Sequence, residues 1–178
     1  MKTKLNQSKL KLAIVSAMLL GTAGITAPAY ALDASLSVSA SIDMSCSITT
    51  TPLTFGDYEP GSTHATAPLN AQGGVSSTCT TGSVGNIKMG QGENTTGTSS
   101  TDAMPLRRMV AAGDATSFLN YGVFTDTDRM NAWENSIGVS YEGTGLAQAL
   151  VVYGSVQPGQ TSAVVGSYTD TITVAINY

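Results

Sequence analysis

Charge is what this 178-residue sequence has least of, and positive charge above all: eight Lys and Arg stand against twelve Asp and Glu. Four of the eight, Lys2, Lys4, Lys9 and Lys11, crowd the first eleven residues. The rest of the chain sets four cations, Lys88, Arg107, Arg108 and Arg129, against all twelve acidic groups, a net charge near −8. Such a chain has no electrostatic footprint for nucleic acid or an anionic membrane surface, and neither is an expected partner. Histidine is scarcer still. His64, in "GSTHATAP", is the only one; no G-x-S-x-G turn and no partnering acid accompany it, so it reads as a solvated loop residue rather than a member of a catalytic triad. Helical periodicity is almost absent as well.

The cations at the start belong to a leader. "MKTKLNQSKLKLAIVSAMLLGTAGITAPAYA" has a basic opening, an apolar run from Leu12 to about Ile25, and small residues ending Ala29-Tyr30-Ala31. This is the pattern of a secretory signal peptide over residues 1–31, with cleavage expected after Ala31. The apolar run is shorter than the roughly 20 residues a bilayer core requires, and Gly21, Gly24 and Pro28 break its end, so no integral membrane segment is expected after cleavage. The mature chain, about 147 residues from Leu32, is expected to be exported. In that setting the only two cysteines, Cys46 and Cys79, read most simply as one disulfide. It closes a loop of about 34 residues, worth roughly 3 to 4 kcal/mol on a chain-entropy account. A thiol nucleophile or a metal pair is the sharper alternative, though neither cysteine has a second Cys or a His at ligand spacing.

What the sequence does have is Thr, Ser, Gly, Ala and Val in alternating or β-branched runs: "GNIKMG", "LNYGVFTD", "SIGVSYEG", "ALVVYGSV" and "YTDTITVAINY". Gly, Asn, Asp and Pro clusters such as "GQGENTTGTSSTD", "TDTDRMNAWEN" and "VQPGQTS" lie between them. Short strands joined by long polar connections predict an all-β, two-sheet sandwich forming one domain over residues 45–178. "MPLRRMVAAGDATSF" has room for a single helical turn. Both ends of the mature chain are well-patterned strands, which puts sheet-forming edges where disorder is usually found.

Other candidate sites dissolve on inspection. Asp126 and Asp128 in "TDTDR" begin like a calcium loop, but the places of its glycine and terminal Glu hold Asn131 and Ile137. Asp57 and Glu59 lie in a strand-to-loop segment that does not hold alternate residues on one face, and they make a poor glycosidase pair. "GQGENTTG" lacks the third glycine and the helix of a dinucleotide fingerprint. Trp133, Tyr141 and Tyr121 could line a sugar platform, but such residues more often plug the core of a small sandwich, and that is how they are read here. No catalytic residue, metal or cofactor is expected, and the chain is not read as an enzyme.

The opening stretch "LDASLSVSASIDMSC" stands apart. Leu32, Ala34, Leu36, Val38, Ala40, Ile42 and Met44 share one face of an extended chain, with Ser and Asp on the other. Leu36, Val38 and Ile42 alone would gain roughly 1.5 to 3 kcal/mol each on full burial. Unburied, such a strand is an aggregation hazard, so it pairs either within its own domain or with another chain by β-strand addition.

This alternating segment leading into a Cys, then "LNYGVFTD" with Trp133 shortly after, "VYGSVQPGQ", and "GSYTDTITVAINY" resemble the spore coat protein U domain family, which includes the subunits of archaic chaperone-usher pili. The likeness runs over nearly the whole mature chain and is most specific over residues 118–178. It implies an incomplete immunoglobulin-like β-sandwich of the pilin type that lacks its final strand. A periplasmic chaperone lends a strand to the groove, and at the outer-membrane usher the N-terminal segment of the next subunit replaces it. Carried onto this sequence, the donor segment is 32–44, with Leu36, Val38, Ala40 and Ile42 as pocket fillers. The groove is flanked by the C-terminal strand, with Ile172, Val174, Ile176 and Tyr178, and by the first strand after the donor. Cys46 and Cys79 become the family's disulfide. The implied partners are other copies of the chain or related pilins, head to tail, and the implied role is a surface fibre for adhesion or biofilm. The alternatives are a secreted spore-coat or matrix protein not assembled by an usher, and a glycan-binding adhesin module built on Trp133.

Overall fold

The computed structural model describes residues 29–95 and 99–178, so all but the last three residues of the expected leader lie outside the described residues. Among the described residues there are nine strands: β1 (Cys46–Thr51), β2 (Leu69–Cys79), β3 (Val84–Met89), β4 (Arg107–Ala111), β5 (Asp114–Phe124), β6 (Val139–Glu142), β7 (Ala147–Val156), β8 (Tyr168–Thr169) and β9 (Val174–Asn177). They form a six-stranded sheet in the order β1-β2-β7-β5-β4-β8 and a three-stranded sheet in the order β6-β3-β9. Every strand pairing is antiparallel. The expected all-β, two-sheet architecture is the one observed.

Period-two alternation builds the core. Ser117, Leu119, Tyr121 and Val123 of β5 are buried in turn, as are Val75, Ser77 and Cys79 of β2 and Ile87 and Met89 of β3. Trp133 lies at the centre, 1% exposed. Its indole Nε1 donates to the Ile87 carbonyl of the smaller sheet at 2.9 Å, and its backbone N–H donates to the Val123 carbonyl of the larger one at 2.8 Å. It therefore ties the two sheets together. Cys46 and Cys79 face each other as the first rung of the β1–β2 ladder and are disulfide-bonded.

The structure corrects one local expectation. "MPLRRMVAAGDATSF" contains no helical turn; it is the β4–β5 hairpin, turning at Ala112-Gly113 with Gly113 at φ +87°. The two arginines that weaken its strand pattern have separate tasks. Arg107 is buried and donates to the backbone carbonyls of Met89, Gly90 and Trp133, while the Arg108 guanidinium lies 3.6 Å from the Phe118 ring centroid. Burial lowers the pKa of Arg107 to about 10, which leaves it charged at neutral pH.

The C-terminal segment, expected as one strand, changes sheets. Tyr168–Thr169 pairs with β4, and Val174–Asn177 pairs with β3. Between them the Thr171 and Thr173 carbonyls accept from the backbone N–H groups of Glu93 and Gly90, so one side of the segment stays bonded throughout.

Candidate functional site: an exposed arm and an open edge

Residues 29–45 carry no regular secondary structure, although their sequence is the most strictly alternating in the chain. Leu36, Val38 and Ile42 are 88%, 85% and 86% exposed, and Ala40 is exposed too. The root of the arm is fixed: Thr80 Oγ1 donates to the Asp43 carbonyl at 3.3 Å, and the Thr80 N–H donates to the Ser45 carbonyl at 2.9 Å. The fold's hydrogen bonds thus reach back as far as Asp43.

The complementary feature is a cleft of about 1040 Å³ opening into the sandwich. One wall is the chain from Thr50 to Tyr58, and the other is Ala163–Ile172 with Val174. The first wall leaves the sheet at Pro52, which has no N–H to continue the β1–β2 ladder. Leu53 and Phe55 then turn inward over β7, where Gly154 makes room: a Cβ there would lie 2.7 Å from Leu53 and 2.8 Å from Phe55. The Phe55 ring meets Tyr121 edge-on at 6.0 Å.

The second wall carries the unpaired edge. Because Thr171 and Thr173 turn their carbonyls toward Glu93 and Gly90, strand alternation aims the backbone groups of Asp170, Ile172, Val174 and Ile176 the other way. No strand pairs with that side among the described residues. The side chains of Ile172, Val174 and Ile176 pack toward the core. Of the four acceptor positions expected from sequence, Ile172 and Val174 line the cleft. Ile176 is half-buried and does not line it, and Tyr178 is 58% exposed.

Asp170 closes the row in a way that sequence did not signal. Its carboxylate accepts from the Tyr121 hydroxyl at 2.6 Å, from the backbone N–H groups of Glu93 and Asn94, and from Asn94 Nδ2. Gly92, at φ +90°, lets the loop come this close, since a Cβ would lie 2.3 Å from Asp170 Oδ2. Burial, then the bond to Asp170, raises the pKa of Tyr121 well above the ordinary phenol range. Tyr121→Phe is expected to leave the half-buried Asp170 carboxylate one donor short and lower stability by about 1 to 2 kcal/mol in denaturant unfolding.

The remaining sequence candidates fall outside the cleft's chemistry. His64 stacks on Tyr58 and accepts from the Glu59 N–H through Nδ1. The Glu59 carboxylate accepts from Ser62 and Thr63, whose hydroxyls hold its pKa below the usual value. Asp126 accepts from the backbone N–H groups of Met130 and Asn131, shaping a turn; those bonds, Asn131's first, lower its pKa. No cluster of three metal-ligating side chains occurs among the described residues. Trp133 and Tyr121 are buried, and the Tyr141 hydroxyl lies 3.2 Å from Cys46 Sγ, so the three form no exposed sugar platform.

A model of the Spore Coat Protein U domain matches residues 32–175. The chain belongs to that family. Over 182 residues it is 34% identical to Protein U of Myxococcus xanthus, covering 98% of this chain and 100% of that one. Among solved structures it is similar to a chain of the CsuC–CsuE chaperone–tip adhesion subunit pre-assembly complex from archaic chaperone-usher Csu pili of Acinetobacter baumannii. That match has a TM-score of 0.45 and 17% identity over 77% of this chain, and it spans 40% of the length of the other. The all-β, two-sheet sandwich with its Cys46–Cys79 disulfide agrees with the fold class that the sequence led us to expect.

Proposed function

We propose that this protein is a structural subunit of an extracellular fibre, polymerising by donation of its N-terminal arm to the cleft of the next copy. One observation carries the reading: the same chain has an exposed alternating arm without a partner and an open apolar cleft beside an unpaired strand edge. Strand addition satisfies both, since main-chain hydrogen bonds cover the edge and alternate side chains fill the cleft. The contact is head-to-tail and does not close, so it propagates. The donor positions are Leu36, Val38, Ala40 and Ile42; the acceptor positions are Ile172, Val174, Ile176 and Tyr178.

The remaining roles follow from that reading. Before assembly the cleft needs temporary cover, the task of a periplasmic chaperone, with an outer-membrane usher as the site of exchange. The leader over 1–31 takes the chain to the periplasm, and the family match starting at Leu32 supports cleavage after Ala31. The product is a surface fimbrium serving adhesion or biofilm formation, and the chain has no enzymatic role. A secreted coat protein assembled without chaperone or usher is the second reading, favoured by the full-length likeness to Protein U. Co-purification with a chaperone from the periplasm separates the two.

The test is a pair of substitutions one residue apart. Val38→Asp places a charge on the face that enters the cleft and is expected to abolish assembly. Ser37→Asp alters the outward face and is expected to leave it near wild type. Polymer yield by sedimentation reads both, and equal effects would remove the support for a cleft-filling face.

A further inference from the structure

The side of β5 that faces away from the core carries a second chemistry, apart from the cleft. Alternation buries Leu119, Tyr121 and Val123, so Phe118, Asn120, Gly122 and Phe124 point outward. Cross-strand register sets Arg108 of β4 opposite Asn120 and Tyr153 of β7 opposite Phe124, on that same outer face. Of the four cations that follow the expected leader, Arg107 is buried and Lys88 belongs to the smaller sheet. The other two, Arg108 and Arg129, both come to the outer face of the larger sheet.

Each of the two is laid against an aromatic ring. Arg108 Cζ lies 3.6 Å from the Phe118 centroid, and Arg129 Cζ lies 5.9 Å from that of Tyr153. Backbone carbonyls hold both in place: Arg108 Nε donates to Asn94, and Arg129 donates through Nε to Gly154 and through Nη1 to Thr127. Neither is bonded to a carboxylate among the described residues. The Phe124 ring folds back over Gly122, where a Cβ would sit 2.5 and 2.6 Å from its Cζ and Cε2, so the missing side chain lets the ring lie down on the sheet. The three rings and both arginines are half-buried, which leaves part of each open to solvent. Phe118 and Phe124 are six residues apart on one strand, a span of about 20 Å.

A ligand that uses this whole face is extended, carries negative charge at intervals and offers apolar faces to the rings. We infer that the face binds an acidic polysaccharide laid along β5. Its carboxylates meet the guanidinium forks, and the C–H faces of its sugar rings, weakly positive, meet the negative faces of Phe118, Phe124 and Tyr153. The carboxylates that flank β5 do not compete for the arginines: Asp114 accepts from Thr116, and Asp126 from Met130 and Asn131. Beyond this face the acidic surface repels such a polymer, which confines it here. Trp133, the sugar platform weighed from sequence, takes no part, since it is buried on the other side of the sheet. The site stands whether or not copies join by strand donation.

Calorimetry of the full-length chain with polygalacturonate, with dextran as an uncharged polysaccharide and with single-stranded DNA of similar length tests the site. Polygalacturonate is expected to bind about tenfold tighter than either of the others at low salt, and to weaken as salt is raised. No heat from polygalacturonate overturns the site, and equal binding of dextran or of DNA overturns the acidic sugar as its ligand. This comparison needs no variant and so decides the matter even where a substitution unfolds the chain. Among variants that keep the wild-type melting temperature, Arg108→Gln and Tyr153→Leu are each expected to weaken binding several-fold, while Lys88→Gln on the smaller sheet leaves it unchanged. A loss with Lys88→Gln equal to that with Arg108→Gln would mark diffuse attraction and overturn the assignment to this face.

Discussion

Removing Leu32–Ile42 is expected to yield a folded sandwich that binds a periplasmic chaperone as wild type does and forms no fibre at all. The deletion stops at Ile42 because Asp43 and Ser45 already belong to the fold through Thr80. Nothing in the core is touched: Val75, Ile87, Val123, Trp133 and Val156 keep their neighbours, as does the disulfide. What is lost is the donor. Each of Leu36, Val38 and Ile42 would contribute roughly 1.5 to 3 kcal/mol on full burial, an upper figure because the unassembled arm already hides some apolar surface. Strand pairing adds to this. Electron microscopy and SDS-resistance of the purified protein read the outcome; fibres or SDS-resistant assemblies from the truncated chain would defeat the donor-strand account. The truncated chain retains an acceptor cleft, so added to wild type it is expected to cap growing ends and shorten fibres as its fraction rises.

Replacing Trp133 by alanine is expected to cost about 3 to 5 kcal/mol, the range for truncating a fully buried aromatic. A sandwich open along one side has little stability in reserve, so this loss is expected to leave most of the isolated subunit unfolded at physiological temperature. Two physical losses combine. The indole fills the space between the sheets, and its Nε1 is the donor to the Ile87 carbonyl, which alanine leaves without it. Phenylalanine restores much of the volume and none of the hydrogen bond, so Trp133→Phe should fall between the two in thermal unfolding. A Trp133→Ala protein that stays folded and loses only glycan retention would instead mark a binding platform, against the 1% exposure of the side chain.

Local pattern was legible where alternation was strict. The β5 and β7 strands and the C-terminal segment follow their period-two sequences, whereas the equally strict alternation of the opening segment goes with no regular secondary structure. The pairing of two lone cysteines in an exported chain needed no geometry. Strand β2 was harder to see, because Gly73 and Gly74 interrupt its pattern. Gly73 is there so that Thr51 and Leu53 can pass: a Cβ would sit 2.9 Å from the Thr51 carbonyl oxygen. The β4–β5 hairpin was obscured by Arg107, a charged residue whose burial makes sense only beside the carbonyls of Met89, Gly90 and Trp133, all distant in sequence. The same limit hid Asp170. In the sequence it is a polar lapse in an apolar row; its partners Tyr121 and Asn94 lie 49 and 76 residues away. The change of sheet between β8 and β9 was invisible for a related reason, since which neighbour a strand joins is a property of the whole topology.

The disulfide has a mechanical consequence. In the fibre proposed above, tension would enter each subunit at Asp43–Ser45 and tend to peel β1 from β2, starting at the rung nearest the arm. That rung is Cys46 opposite Cys79, and it is covalent. The load therefore bypasses the β1–β2 ladder, passing into β2, whose long pairing with β7 lies well inside the six-stranded sheet. The subunit would be clamped at the point of pull, and reduction of this one bond would expose the β1–β2 ladder to the load, to open one rung at a time from the arm end.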